Sequence, residues 1–321
     1  MKADVLILGG SGFIGTNLLD ELILEGFTVK NFDISKPLDQ KHKKYWIKGD
    51  ILNKNILKEV INSVQPTNIV DLIARTDVNE LESVEEGYSL NYKGVQNVID
   101  IVKNTDFIKS IVFTSTQYVK RPGHDYENIM SYNPHTTYGA SKVMMEKIIL
   151  NSEISCKWTI IRPTNVWGPW HFRYKNQFFK VLKKRMYFHP GGEDAIKSYA
   201  YVGNVAHQIS KILIDSGSNV DKEILYVGDE PISILKWVNL FSRGIAGKNV
   251  VVVPRYIFIM IAKIGDFIGF IFRKPFLINS SRFNSMTEHY PTAMNHTFQI
   301  LGKNKYTVEE GVNKTLQWLK D

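Results

Sequence analysis

The sequence predicts an α/β protein built on a doubly wound parallel sheet, with a smaller lobe interleaved with it. In the first half, short apolar runs typical of buried parallel strands alternate with stretches of helical spacing. Beyond about residue 165 the pattern becomes less regular, and prolines and glycines cluster. Because no Ser/Gly-rich linker separates the halves, we expect one domain at 1–165, with part of about 195–230 returning to it. Residues 166–321 would form mainly a second domain.

The predicted strands are short and rich in β-branched residues. They cover residues 5–8, 28–32, 45–48, 69–73, 111–114 and 158–161. Helical spacing occurs between them, and in the second half at roughly 176–185, 203–216 and 233–246. Parallel neighbours require crossovers, so the helices should cover both faces of the sheet through right-handed connections.

Composition excludes several classes of protein. The 321 residues are 44% hydrophobic and 22% charged, which is not the composition of a fibrous or disordered chain. The single cysteine, Cys156, cannot close an intrachain disulfide. The short apolar run at the N-terminus enters a glycine cluster instead of a cleavage site. Both observations lead us to expect a cytoplasmic location.

The histidines lack metal-ligand spacing, and we expect no metal. The net charge of +8 is compatible with a soluble surface or with an anionic ligand.

A glycine motif directly follows the first predicted strand. Gly9, Gly12 and Gly15 are spaced Gly-x-x-Gly-x-x-Gly, and Phe13 and Ile14 lie where a helix should begin. Such a turn brings backbone close to a pyrophosphate, while the helix N-terminus offers unpaired N–H groups and partial positive charge. The motif therefore predicts a Rossmann-type dinucleotide site.

Two carboxylates follow later strands of the same half. Asp33, 18 residues after Gly15, ends the second strand, where a carboxylate accepts hydrogen bonds from ribose hydroxyls and repels a 2′-phosphate. This favours NAD over NADP, although Lys36 nearby weakens the preference slightly; the alternative for Asp33 is a solvated turn or helix cap. Asp50 and Ile51 follow the third strand and could hold the adenine edge, but Gly-Asp-Ile alone is only a turn.

A tyrosine and a lysine form the second chemical signal. Spacing of four places Tyr138 and Lys142 one turn apart on the same helix face. An adjacent ammonium, together with the charge of oxidised nicotinamide, favours the phenolate and lowers the pKa of the tyrosine, which can then exchange a proton with a substrate hydroxyl. Thr116 follows the fifth strand and could orient the reacting oxygen. The alternatives are surface residues for the pair and a turn or cap for Thr116.

With these elements placed, the chain resembles the extended short-chain dehydrogenase/reductase superfamily. It is most similar to the NAD-dependent epimerase/dehydratase branch that acts on nucleotide sugars. The motifs that carry the resemblance are the glycine turn, Asp33, 50–51, 72–75, Asn91, 115–116, 138–142, 162–169 and 199–205. The resemblance implies that 1–165 bind NAD and that 166–321 mainly bind substrate.

The resemblance also implies roles for single residues. Thr116, Tyr138 and Lys142 would be the catalytic set. The residues expected to bind NAD are Gly9, Gly12, Phe13, Ile14, Gly15, Asp33, Asp50, Ile51, Ile73, Ala74, Arg75, Asn91, Tyr138, Lys142 and Pro163. Those expected at a sugar diphosphate are Asn165, Asn176, Lys197 and Arg282.

Gln117 and Tyr118 depart from the acidic pair that sugar 4,6-dehydratases carry after this threonine, so 4,6-dehydration is not expected. The implied activity is epimerisation of a nucleotide sugar by oxidation and re-reduction at C4. The alternatives are a 4-keto sugar reductase, a dehydrogenase of another alcohol such as a sterol, and a non-catalytic dinucleotide-binding protein. The implied setting is bacterial polysaccharide synthesis.

The resemblance also implies which partners the protein binds. We expect a nucleotide-diphosphate sugar as substrate, no nucleic acid, and a homodimer formed through the helix that carries Tyr138 and Lys142. The apolar stretch 250–272 contains Lys263 and Asp266, so a transmembrane helix is not expected. We expect this stretch to pack inside the second lobe, with peripheral membrane contact as the alternative.

Overall fold

The computed structural model describes residues 2–77, 82–124, 128–215, 219–274, 276 and 278–320. Its strands, in chain order, are β1 Val5–Leu8, β2 Val29–Asp33, β3 Trp46–Lys48, β4 Asn68–Asp71, β5 Ser110–Thr114, β6 Lys157–Pro163, β7 Asn165–Trp167, β8 Phe188–Pro190, β9 Ile196–Lys197, β10 Tyr199–Tyr201, β11 Glu223–Val227, β12 Ile232–Ser233 and β13 Val251–Val253. Seven of them form one parallel sheet in the order β11-β6-β5-β4-β1-β2-β3. This confirms the predicted α/β class.

The α-helices surround this sheet and build the second lobe. They are α1 Phe13–Leu24, α2 Lys54–Val64, α3 Val84–Gly87, α4 Leu90–Val102, α5 Thr137–Leu150, α6 Phe172–Tyr174, α7 Lys180–Lys183, α8 Val202–Ile214, α9 Ile234–Ala246, α10 Arg255–Phe272, α11 Ser280–Thr287, α12 Asn295–Leu301 and α13 Val308–Lys320. The predicted helix at 176–185 is a π-helical segment, Lys175–Phe179, followed by α7. Residue 216, the predicted end of α8, lies outside the described residues.

Successive side chains along each strand point to opposite faces of the sheet, so a hydrophobic core forms on each face. In β1, Leu6 and Leu8 face the core beneath α2, α4 and α5, whereas Val5 and Ile7 face the core beneath α1 and α8. The chain changes direction across the sheet between β1 and β4, which are neighbours. Ligands in such folds bind at the carboxyl ends of strands at this reversal, so the architecture fixes where a site can lie.

The second lobe has its own aromatic core. Trp167, Trp237 and Phe241 pack at ring distances of 5.1 to 5.9 Å, and helices α9 and α13 close around them. Three two-stranded pairs, β7–β10, β9–β12 and β8–β13, lie outside the main sheet, and β7 follows directly on the carboxyl end of β6. The lobe therefore stands over the carboxyl ends of the central strands.

The stretch 250–272 departs from the prediction. It forms β13 and the long helix α10, but only Phe258, Ala262 and Gly265 of that helix are buried. The expected inward packing is therefore wrong for most of the helix surface. Among the described residues, no helix combines the length and the apolarity that a bilayer crossing requires.

A buried ion pair joins α5 to the sheet. Arg162 on β6 donates to Glu146 on α5 over 2.9 Å from Nε and 2.6 Å from Nη2, and both side chains are fully buried. Glu146 also accepts hydrogen bonds from the hydroxyls of Ser115 and Tyr132. The carboxylate thus has four donors, which satisfies its buried charge.

Arg162→Met should lower the free energy of unfolding by about 3–5 kcal/mol, because it leaves the Glu146 carboxylate buried without its cation. The double variant Glu146→Gln/Arg162→Met should lose less. Urea denaturation followed by tryptophan fluorescence measures both. The matched control is Lys54→Met, which removes the partly exposed 2.6 Å pair with Asp100 and should cost about 1 kcal/mol or less. Equal losses for Arg162→Met and Lys54→Met would contradict this expectation.

Candidate active site

A cleft of about 920 Å³ opens at the carboxyl edge of the sheet, between the sheet and the second lobe. It is lined by the turn after β1, by the segments after β4, β5 and β6, and by the start of α5. Of the residues predicted for the site, it contains Gly9, Gly12, Phe13, Ile14, Gly15, Ala74, Thr116, Tyr138, Lys142, Pro163, Asn165 and Lys197. The structure therefore brings both chemical signals of the sequence to one cavity.

The glycine turn is built for close backbone approach. Gly9 has φ +88°, which favours glycine, and a Cβ on Gly15 would lie 2.4 Å from the Gly9 carbonyl oxygen. Gly12 is the N-cap of α1 and contributes no capping side chain. The first-turn N–H groups of α1 thus remain available to an anion, and the turn fits the pyrophosphate of a dinucleotide.

Asp33 ends β2 and is largely buried beside this turn. Its Oδ2 accepts a hydrogen bond from the Ser11 N–H at 3.1 Å, and its Oδ1 accepts one from the Ser35 N–H at 2.8 Å. Burial raises the pKa of Asp33, and these hydrogen bonds oppose that rise. Each oxygen keeps a further lone pair, so the carboxylate can accept from ribose hydroxyls.

Two other predicted cofactor residues lie around the third strand. Asp50 is exposed and accepts a hydrogen bond from the Leu52 N–H at 2.9 Å, while Ile51 is buried against Gly94 on α4. Neither lines the cleft among its described residues. In this structure the side chain of Ile51 belongs to the core.

The segment after β4 is held by a buried amide. Asn91 accepts the Arg75 N–H at 2.8 Å and donates to the Arg75 carbonyl at 3.1 Å and to Ser141 on α5 at 2.9 Å. The Arg75 guanidinium is engaged by Asp77 and Glu82, and Ile73 packs beneath Gly9. Asn91 and Arg75 therefore shape the loop that borders the cleft and connect it to α5.

Thr116 and Tyr138 meet across the cleft. Thr116 follows β5, and Tyr138 lies in the first turn of α5, which Thr136 caps by accepting from the Gly139 N–H at 2.9 Å. Burial raises the pKa of Tyr138, and a hydrogen bond with Thr116 lowers it. Desolvation of the phenolate outweighs that hydrogen bond, so the pKa of Tyr138 lies above the usual value of a phenol.

Lys142 lies between two acidic groups under the cleft. Its Nζ donates to the Thr114 carbonyl at 2.7 Å, and burial lowers its pKa to about 8 although Asp71 and Glu146 act to raise it. Asp71 ends β4, accepts from the Ile73 N–H at 3.0 Å, and has its pKa raised by burial to about 6 despite Lys142. Sequence reasoning missed Asp71; the available signal was a carboxylate ending an otherwise apolar strand.

The substrate end of the cleft contains both an amide and a cation. Asn165 on β7 accepts from the Tyr118 hydroxyl at 3.4 Å and donates to the Ser198 carbonyl at 3.1 Å. Lys197 on β9 donates to the Ser285 carbonyl at 2.7 Å. Burial lowers the pKa of Lys197, and Glu288 acts to raise it. Positive charge is therefore present where the second lobe closes the cleft.

Asn176 and Arg282 lie in an adjoining pocket of about 640 Å³. This pocket shares Arg173, Gln177 and Ser285 with the main cleft. The predicted substrate residues are thus divided between two neighbouring cavities. The second pocket adds further basic side chains, Lys180 and Lys184.

Aromatic side chains at the substrate end were not selected from the sequence. They are Tyr118, His135, Trp170, Phe172, Tyr174, Tyr199 and Tyr290. His171 also lines the cleft, and its ring stacks on that of Tyr174 with 4.3 Å between the ring centres. Burial lowers the pKa of His171 to about 4, so its ring is neutral near pH 7. These residues are scattered along the chain without a shared period.

A doubly wound sheet, a glycine turn under a helix N-terminus and a Tyr–Lys helix at the carboxyl edge define an enzyme of the extended short-chain dehydrogenase/reductase class. The model of the NAD dependent epimerase/dehydratase family matches residues 5–228, and the chain belongs to that family. Its cofactor is NAD. The glycine turn in the cleft leaves room for the pyrophosphate of this cofactor. Asp33 lies beside that turn but is not among the described residues that line the cleft.

Curated relatives divide between sugars and steroids. A 3-beta-hydroxysteroid dehydrogenase of Mycolicibacterium neoaurum is 26% identical over 249 residues, covering 73% of this chain and 68% of the relative. The N-acetyl-alpha-D-glucosaminyl-diphospho-ditrans,octacis-undecaprenol 4-epimerase of Escherichia coli is 24% identical over 332 residues, covering 99% and 96%.

Among solved structures, the UDP-glucose 4-epimerase of Thermotoga maritima with UDP-glucose matches with TM-score 0.75 and 19% identity, covering 100% of this chain and 99% of that one. The UDP-glucose 4-epimerase of Thermus thermophilus in complex with NAD matches with TM-score 0.72 and 21% identity, with coverages of 100% and 99%. At these identities the likeness shows the fold.

Asp33→Asn should weaken NAD binding about tenfold, because a charged acceptor to the ribose hydroxyls becomes a neutral one. Affinity for NADP should fall less, since repulsion of the 2′-phosphate is removed. Isothermal titration with each dinucleotide measures the ratio of the two affinities. An unchanged ratio would show that Asp33 does not face the ribose.

Asp71→Asn should move the alkaline limb of the kcat/KM profile to lower pH. The Asp71 charge raises the pKa of Lys142 toward its value of about 8, so its loss lets Lys142 deprotonate earlier. Below about pH 6 the two profiles should converge, because Asp71 is then protonated in the wild type. The control is Asp106→Asn, an exposed carboxylate, which should leave the profile unchanged. An alkaline limb that stays in place in Asp71→Asn contradicts this role.

Proposed function

We propose that this protein epimerises C4 of a sugar carried on a diphosphate, with Tyr138 exchanging the proton of the C4 hydroxyl. The observation that carries the proposal is the convergence of Thr116, Tyr138 and Lys142 on one cleft whose far end is lined by cations. A 4-epimerase among the relatives matches almost the whole chain, which supports the same chemistry.

Residues on α5 and just after β5 carry out the proton transfer. Tyr138 Oη takes the proton from the C4 hydroxyl as that carbon is oxidised and returns it on re-reduction. Thr116, whose side chain acts on the Tyr138 hydroxyl, orients the sugar oxygen. NAD, when bound, supplies the acceptor and then the donor of the hydride at C4.

Lys142 supports this proton transfer electrostatically. Its ammonium carries positive charge near the phenol and can also hold ribose hydroxyls. Because burial alone raises the pKa of Tyr138, this charge is needed to make the phenolate accessible. Asp71 and Glu146 keep Lys142 protonated against its own burial.

Epimerisation requires that the 4-keto sugar present its other face before re-reduction. The aromatic rings at the substrate end, such as Tyr118 and Tyr199, offer flat apolar contacts on which a ring can turn. The diphosphate stays bound meanwhile, through Lys197 and Asn165 in the cleft and through Arg173 and Arg282 toward the adjoining pocket.

The second candidate function is dehydrogenation of a sterol-like alcohol. Steroid dehydrogenases among the relatives and the aromatic lining of the cleft favour it. The cations at Arg173, Lys197 and Arg282 favour the diphosphate instead, because a neutral sterol brings no negative charge to them.

We also propose a homodimer through α4 and α5. Among the apolar residues of α5, Val143 and Ile149 are buried within the protomer, while Met144 and Ile148 are partly exposed. The two partly exposed residues are four apart and share one helix face, which suits a helix-bundle contact.

Tyr138→Phe should lower kcat on a UDP-hexose about a hundredfold or more, because the proton donor and acceptor are removed. NAD affinity should stay within a few-fold of wild type. Conversion is followed by NMR of the sugar anomeric protons, and binding by calorimetry. Activity equal to wild type would remove Tyr138 from the mechanism.

Net redox change separates the two candidate functions. An epimerase interconverts two sugars without net reduction of NAD, whereas a dehydrogenase reduces one NAD for each alcohol oxidised. Stoichiometric accumulation of reduced cofactor during turnover of a hydroxysteroid, with no conversion of diphospho-sugars, would favour the second candidate.

A further inference from the structure

Helix α10 attaches to the second lobe by a narrow stripe. Its buried residues Phe258, Ala262 and Gly265 recur at helical spacing and face α11, where Phe258 lies 5.9 Å from the ring of Phe283. A Cβ on Gly265 would lie 1.8 Å from the Ile278 carbonyl oxygen, so the backbones are in close contact there. This stripe fixes which face of α10 points outward.

The outward face is almost entirely apolar. Tyr256 is 69% exposed, Phe267 65% and Phe270 82%. The other large apolar side chains exposed on this helix are Met260, Ile264, Ile271 and Phe272. The spacing of 256, 260, 264, 267 and 271 places them on one side of a helix about 27 Å long. Single exposed apolar residues are ordinary, but a contiguous row of this size indicates an interaction surface.

Basic residues border and interrupt this row. Lys263 lies within it, and Arg273 and Lys274 follow at its C-terminal end, all exposed. The one acidic residue of the helix, Asp266, is engaged by the Ser280 N–H at 3.1 Å and by its hydroxyl. The exposed face therefore combines large apolar groups with exposed basic side chains.

We propose that α10 docks on an anionic lipid bilayer, lying along the boundary between headgroups and acyl chains. Aromatic and aliphatic side chains would enter the acyl region, while Lys263, Arg273 and Lys274 would meet anionic headgroups. A second copy of the chain fits less well, because lysine is depleted at the centre of protein interfaces and Lys263 is central here.

This docking would bring the cleft to the membrane. Helix α11 packs under α10, and its Arg282 and Ser285 line the pocket that adjoins the cleft. Membrane docking through α10 would not depend on which alcohol the enzyme oxidises.

Cosedimentation of the full chain with vesicles tests the proposal. One set is pure phosphatidylcholine, and the other contains phosphatidylglycerol at about a third of the lipid. We expect at least tenfold stronger partitioning to the anionic vesicles, weakened by salt, because three basic side chains contribute there. Phe267→Glu/Phe270→Glu should reduce this partitioning at least tenfold.

Leu24→Glu is the matched control, since Leu24 is 73% exposed at the end of α1, away from this face. It should bind vesicles like wild type, and all variants should keep their melting temperature and NAD affinity. Wild-type protein that stays in the supernatant with both vesicle types overturns the proposal. So does a shift from dimer to monomer in sedimentation velocity for Phe267→Glu/Phe270→Glu, since the face would then be a contact between copies.

Discussion

The buried pair of Arg162 and Glu146 is the interaction on which the candidate site depends. Glu146 lies on α5 one turn after Lys142 and two turns after Tyr138, so its position sets the height of both groups above the sheet. The same carboxylate accepts from Ser115, the neighbour of Thr116. One ion pair therefore fixes the helix that carries two proposed catalytic residues and the strand end that carries the third.

This pair also belongs to a larger balance of buried charge. Two cations, Lys142 and Arg162, and two carboxyls, Asp71 and Glu146, lie beneath the cleft, all nearly inaccessible to water. Each cation has an anionic neighbour, which offsets part of the desolvation cost that a buried charge carries. The carboxyls keep Lys142 charged at a depth where burial favours its neutral form. The positive charge proposed to assist Tyr138 is thus provided by the framework below it.

Local patterns in the sequence were sufficient for the sheet and the dinucleotide turn. The strands of the first half are apolar runs bounded by turns, and Gly9 and Gly15 occupy positions that a side chain would strain or block. The Tyr–Lys spacing could likewise be read directly, because one helix supplies both residues.

Features built from distant residues could not be read in the same way. The approach of Asp71 to Lys142 joins two elements 71 positions apart, and nothing local in either marks the other. The aromatic lining comes from five separate segments. The pKa of Tyr138 depends on burial, which the spacing of residues does not express. The same holds for α10, whose composition predicted a buried helix although, within the described part of the chain, its buried residues form only one stripe.

The apolar residues on the outer face of α10 are informative because the fold does not need them. Attachment to the lobe uses Phe258, Ala262 and Gly265, and the close backbone contact at Ile278 anchors the helix without help from the outer face. Glutamate, lysine or glutamine at the outer positions would support the helix as well and avoid exposing apolar surface to water. A helix that retains aromatic residues on its far side, with lysine and arginine among them, is therefore suited to a medium with an apolar interior and a negatively charged surface. The inner stripe of α10 thus serves folding, because it packs against the second lobe. The outer face serves the proposed contact with a membrane.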